Sequence, residues 1–133
     1  MNRRRLAALA LLALASGCAD RTPTIAPSPP ATADTGLDRM ERLAVTANRC
    51  WIRSGDSTFS EFSLAPELSS FSGRPRFLLV PRGRMEARPL LVVEGQTGSS
   101  AIDTYGPLLG TPAAARIRAD LARWSAGASS CEA

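Results

Sequence analysis

The chain has 133 residues, 44% of them hydrophobic and 21% charged, with a formal net charge of +4. Its 16 basic residues are all arginines; histidine and lysine are absent. That length suits one ordinary domain, and the missing residues exclude Ser-His and Cys-His pairs, His-ligated metals, Schiff-base lysines and phosphate-loop lysines.

Met1-Asn2-Arg3-Arg4-Arg5 opens the chain, Leu6 to Ala15 is an unbroken run of Leu and Ala, and Ser16-Gly17-Cys18 follows. A basic start, a short apolar stretch and small residues at its end form the export-signal pattern. Ten apolar residues span about 15 Å as a helix, half of a hydrocarbon core, too little for a transmembrane anchor. The run Leu14-Ala15-Ser16-Gly17-Cys18 resembles the lipobox cut by signal peptidase II in bacterial lipoproteins, with Ala15 where leucine is more usual. The resemblance covers this segment alone. It implies removal of residues 1–17, diacylation of Cys18 and acylation of the new amino terminus, so that lipid holds the chain to a membrane. Each buried methylene would add about 0.8 kcal/mol to that attachment. Ala19 stands where an aspartate would signal inner-membrane retention, which implies the outer membrane, facing the periplasm. A plain secretory signal is the competing reading.

Cleavage before Cys18 would remove three arginines, leaving 13 against 12 acidic residues. The basic balance of the whole chain then belongs mostly to the leader, and a nucleic-acid partner is not expected. Residues 18–36 are Cys18 and a semi-rigid tether, residues 19–36, whose four prolines stand among small polar residues and which reaches roughly 55 Å at ~3.1 Å per residue.

Residues 37–133 are expected to form one α+β domain in the order α-β-β-β-β-α, with an antiparallel sheet. Thr35 to Asp38 and Asp38 to Glu41 fit capping-box spacing at the start of a helix. Leu37, Met40, Ala44, Ala47 and Trp51 share one face of it, and its end is predicted near Asn48 to Cys50. Phe59 to Leu64 alternates imperfectly and reads as a first strand. Phe77-Leu78-Leu79-Val80 and Leu90-Leu91-Val92-Val93 are continuous apolar runs bracketed by Pro and Gly, suited to strands covered on both faces or at least central in the sheet. The segment between Pro81 and Pro89 reads as a long hairpin loop. Ala101 to Tyr105 is a fourth strand, stopped by Gly106-Pro107. The last helix has Thr111 as N-cap, Pro112 at N1 and Gly127 at C′. Ile117, Leu121 and Trp124 form its apolar stripe, with Arg116, Arg118, Asp120 and Arg123 placed elsewhere and Arg116–Asp120 spaced to pair. Both helices are expected on one sheet face.

With Cys18 lipidated, Cys50 and Cys131 remain in an oxidising compartment, where a disulfide is their simplest fate. A catalytic thiol is the alternative, but no histidine is present to activate it.

Arg74, Arg76, Arg82, Arg84 and Arg88 crowd the predicted hairpin, opposed only by Glu86. Guanidinium groups bind phosphates and carboxylates bidentately, so Arg82, Arg84 and Arg88 are candidate anion-binding residues. The alternative is that they keep strand edges soluble. Glu94 and Asp103, on consecutive predicted strands, have the composition of a glycosidase pair, but nothing in the sequence fixes their separation. No nucleophile elbow, phosphate loop, dinucleotide fingerprint or metal cluster appears, so neither a cofactor nor a metal is expected. Trp51 and Trp124 read as core residues rather than a ligand platform. The stretches Arg49 to Asp56, Leu64 to Leu68 and Phe71 to Pro75 resemble small proteobacterial envelope lipoproteins, a likeness that brings no activity with it. The expected function is therefore non-enzymatic: binding of a protein or an anionic envelope component. An inhibitor or accessory factor of a cell-wall enzyme is the alternative.

Overall fold

A computed structural model describes residues 36–69 and 71–131. The expected leader and all but the last residue of the tether, including Cys18, lie outside these. Helix α1 spans Gly36–Ala47, strands β1 to β4 span Phe62–Glu67, Arg76–Pro81, Leu91–Gly95 and Ile102–Tyr105, and helix α2 spans Ala114–Ser125. The strands form one antiparallel meander in the order β1-β2-β3-β4. The α+β fold read from the sequence is the fold observed.

Gly36 starts α1 where the backbone runs closest to the β3–β4 connection. Its N–H donates to the Ser99 carbonyl at 3.0 Å, and its φ is +54°. A Cβ there would lie 2.9 Å from the Thr97 Cα, so both conformation and space call for glycine. Met40, Leu43, Ala44 and Ala47 face the core, whereas Leu37, expected among them, is 44% exposed. The buried stripe therefore begins one turn later and includes Leu43.

The α-helix ends at Ala47, beside the predicted Asn48 to Cys50, but the chain goes on turning. It widens into a π-turn over Asn48–Ile52, closed by the Arg53 N–H on the Asn48 carbonyl at 2.9 Å. The extra residue in that turn lets consecutive residues, Cys50 and Trp51, both be buried. Phe59 does not open β1 either. It lies in a 3₁₀ turn, Ser57–Phe59, capped by the Asp56 carboxylate, which accepts from the Thr58 N–H at 2.9 Å. Its ring stacks on Trp51 with centroids 4.9 Å apart, and burial against that aromatic outweighs its strand preference.

Strands β2 and β3 explain their unbroken apolar runs. Phe77, Leu79, Leu91 and Val93 join the helices in the main core, while Leu78, Val80 and Val92 point to the other face and cluster with Ala65. Both faces are buried along these strands. Alternating side chains thus need apolar residues at every position.

Helix α1 packs on β2 and β3, and α2 packs on α1 and on a 3₁₀ turn, Pro107–Gly110, placing both helices with the main core. Thr111 and Pro112 are not its cap and first residue. The helix begins at Ala114, and the Thr111 hydroxyl donates back to the Leu108 carbonyl at 2.7 Å. Its C-terminus follows the sequence closely. Gly127 has φ +105°, its N–H donates to the Trp124 carbonyl and the Ala128 N–H to the Arg123 carbonyl, both at 3.1 Å, which is the Schellman pattern.

The two tryptophans meet at the centre, ring centroids 5.1 Å apart, with Phe77 at 6.5 Å from Trp51. Beside them the Cys50–Cys131 disulfide closes an 81-residue separation, with Cα atoms 4.9 Å apart. The tail it holds supplies the Ser130 carbonyl that accepts the Trp124 Nε1–H at 2.9 Å.

Candidate functional site

The five arginines near the predicted hairpin separate into two groups at opposite ends of the sheet. Arg74 and Arg76 stand at the end where β1 meets β2 and β3 meets β4. There Glu67, Arg76, Glu94 and Asp103 lie in one cross-strand row, each directly opposite the next. Arg76 Nε donates to Glu67 Oε2 at 2.6 Å, and Arg74 Nε donates to Glu94 Oε1 at 2.7 Å. Arg74 also reaches Asp103 at 3.7 Å. Hydrogen bonding to Glu94 raises the Arg74 guanidinium pKa further, and bonding to Glu67 does the same for Arg76. These two cations are already partnered.

The row also decides the role of Glu94 and Asp103. They face each other across β3 and β4, but Arg74 bridges them, and Glu94 is buried while the Asp103 side chain is 73% exposed. A carboxylate held by a guanidinium on one side and a neighbouring Arg76 at 3.7 Å on the other serves the ion-pair row.

Arg82, Arg84 and Arg88 sit on the β2–β3 connection, all exposed. No ion pair or side-chain hydrogen bond within the described residues engages any of the three. The backbone at Arg82 and Arg84, by contrast, is held. The Arg82 N–H donates to the Glu61 carbonyl at 2.8 Å, and the Arg84 N–H to the Pro81 carbonyl at 3.0 Å. The Gly83 N–H donates to Ser63 Oγ at 3.1 Å, and the Ala87 N–H to the Arg84 carbonyl at 3.1 Å. Three unpaired guanidiniums on a pinned loop form a cationic surface, with Glu86 as the one acidic residue in the segment. Such a surface can offer planar, bidentate donors to carboxylate or phosphate oxygens without first breaking an internal pair.

One polar centre was not foreseen. Asp120 was expected on the outer face of α2 but is 1% exposed. Its Oδ2 accepts from Trp51 Nε1 at 2.8 Å and from Arg116 Nε at 2.7 Å, and its Oδ1 accepts from Arg123 Nη2 at 2.7 Å. The expected Arg116–Asp120 pair is therefore present, with two further donors. Arg116 also approaches Asp56 at 3.5 Å. The signal was in the spacing, because Ile117, Asp120, Leu121 and Trp124 follow the i, i+3, i+4, i+7 stripe. With every oxygen engaged, the site is structural.

Cys50 and Cys131 are joined and carry no free thiol chemistry. Among the described residues, no three His, Cys, Asp or Glu side chains gather to hold a metal, and no helix is long and apolar enough to cross a membrane. No protein-family model, curated protein or solved structure matches the chain.

Proposed function

We propose that this chain is a lipid-anchored protein of the bacterial envelope that binds an anionic envelope component through Arg82, Arg84 and Arg88, without catalysing a reaction. The anchor at Cys18 and the outer-membrane, periplasm-facing location rest on the lipobox-like run and on Ala19. The binding role rests on one observation: these three arginines are exposed and unpaired, while Arg74 and Arg76 have carboxylate partners. A device for solubility alone has no need of a loop whose backbone is hydrogen-bonded at Arg82, Gly83, Arg84 and Ala87.

The direct test is sedimentation of the unacylated chain with cell-wall fragments rich in free carboxylates, and with lipid A vesicles, over a range of salt. Binding that weakens as salt rises supports the proposal, because exposed charges are screened within ~8 Å at physiological ionic strength. Absence of binding at low salt to both materials overturns it.

A further inference from the structure

The end of the sheet opposite the arginine loop carries a different surface. The described chain enters there: Gly36 is fixed against Thr97 and Ser99, in the β3–β4 connection. The next residue, Leu37, lines a pocket of about 340 Å³ together with Leu68, Phe71, Pro75 and Thr97. Phe71, on the β1–β2 connection, is fully exposed. Two large apolar side chains, Phe71 and Leu37, are thus presented to solvent beside an apolar hollow. The cations nearest in sequence, Arg74 and Arg76, are neutralised by Glu94 and Glu67.

We propose that this end of the domain rests on the lipid bilayer, with Phe71 and Leu37 entering the boundary between headgroups and acyl chains. The proposal takes its direction from the Cys18 anchor proposed above. The tether, with a reach of roughly 55 Å, has slack enough to let either end touch the bilayer; the end it joins has the shorter path and is the one that presents exposed apolar side chains, Phe71 and Leu37. An aromatic ring gains at such a boundary what it loses in water. The six residues of β2 separate the two ends by about 20 Å. Arg82, Arg84 and Arg88 then face away from the bilayer, toward a ligand other than the anchoring leaflet.

The test places a reporter at each end. Trp51 and Trp124 are both 0% exposed, so a tryptophan introduced at the surface is the accessible one. Phe71→Trp and Met85→Trp, the latter in the arginine loop, are prepared in the chain beginning at Cys18. Cys18, the one cysteine outside the disulfide, is coupled to maleimide lipid in vesicles of phosphatidylethanolamine and phosphatidylglycerol with brominated acyl chains. This coupling makes the result independent of acylation in the cell, which palmitate labelling reports separately. Phe71→Trp should lose about half of its added emission to bromine, as expected for a side chain 5–10 Å into the boundary, and Met85→Trp should lose none. Quenching of Met85→Trp alone, of both variants or of neither overturns the proposal.

Discussion

The Trp51 indole donates its Nε1–H to the Asp120 carboxylate across 69 residues of sequence, at 2.8 Å and out of contact with solvent. This bond ties the π-turn that follows α1 to the middle of α2. It is also why a charged residue is tolerated on the apolar stripe of a helix: its acceptors are all used, and both companions are cations.

Asp120→Ala leaves the Trp51 N–H without a partner and two half-buried guanidiniums without their carboxylate. The expected cost is about 2–4 kcal/mol, below the usual range for a buried pair because Arg116 and Arg123 can turn toward water. That lowers the melting temperature by roughly 10–25 °C in a domain of this size. Trp51→Phe keeps most of the ring and removes one donor, and should cost about 1 kcal/mol through the lost bond. Urea denaturation of both variants checks the order; a larger loss in Trp51→Phe than in Asp120→Ala contradicts it.

Breaking the disulfide should be felt well beyond the tail. Loop entropy alone gives an upper figure of about 4.5 kcal/mol for this closure, and released residues 127–131 no longer hold the Ser130 carbonyl against Trp124. Peptide mapping without reductant should recover Cys50 and Cys131 as one linked pair. Cys131→Ser should melt well below the parent, and addition of dithiothreitol to the parent should reproduce that shift.

The two arginine groups should respond oppositely to substitution. Changing Arg82, Arg84 and Arg88 together to Gln keeps length and polarity and removes charge. It should abolish salt-sensitive binding of cell-wall fragments while stability moves by less than about 0.5 kcal/mol. Arg74→Gln should leave that binding intact and lower the melting temperature, because Glu94 stays buried with its principal donor gone. Equal effects of the two changes on binding would show that charge anywhere on the domain suffices.

Cys18→Ser should abolish palmitate incorporation and move the protein from the membrane fraction to soluble fractions or to an uncleaved precursor. Labelling that persists in the variant would place the lipid elsewhere.

The sequence alone determined what depends on neighbours in the chain. The order of helices and strands followed from apolar periodicity and the end of α2 from Gly127. The disulfide, though it joins distant residues, was legible by counting, because two cysteines are left to pair once Cys18 is set aside. The continuous runs at Phe77–Val80 and Leu90–Val93 already suited strands covered on both faces or central in the sheet, and both faces of β2 and β3 are buried. Tertiary structure decided what depends on residues far away. Phe59 left its expected strand because Trp51 offered a stacking surface, and Asp120 turned inward because that same indole needed an acceptor. Arg74 became part of an ion-pair row while Arg82 stayed free, although only eight positions separate them. Sequence spacing sets which way a side chain can point along its own element; only the packed sheet determines which charges meet, because cross-strand register brings Glu67, Arg76, Glu94 and Asp103 into line from four separate segments.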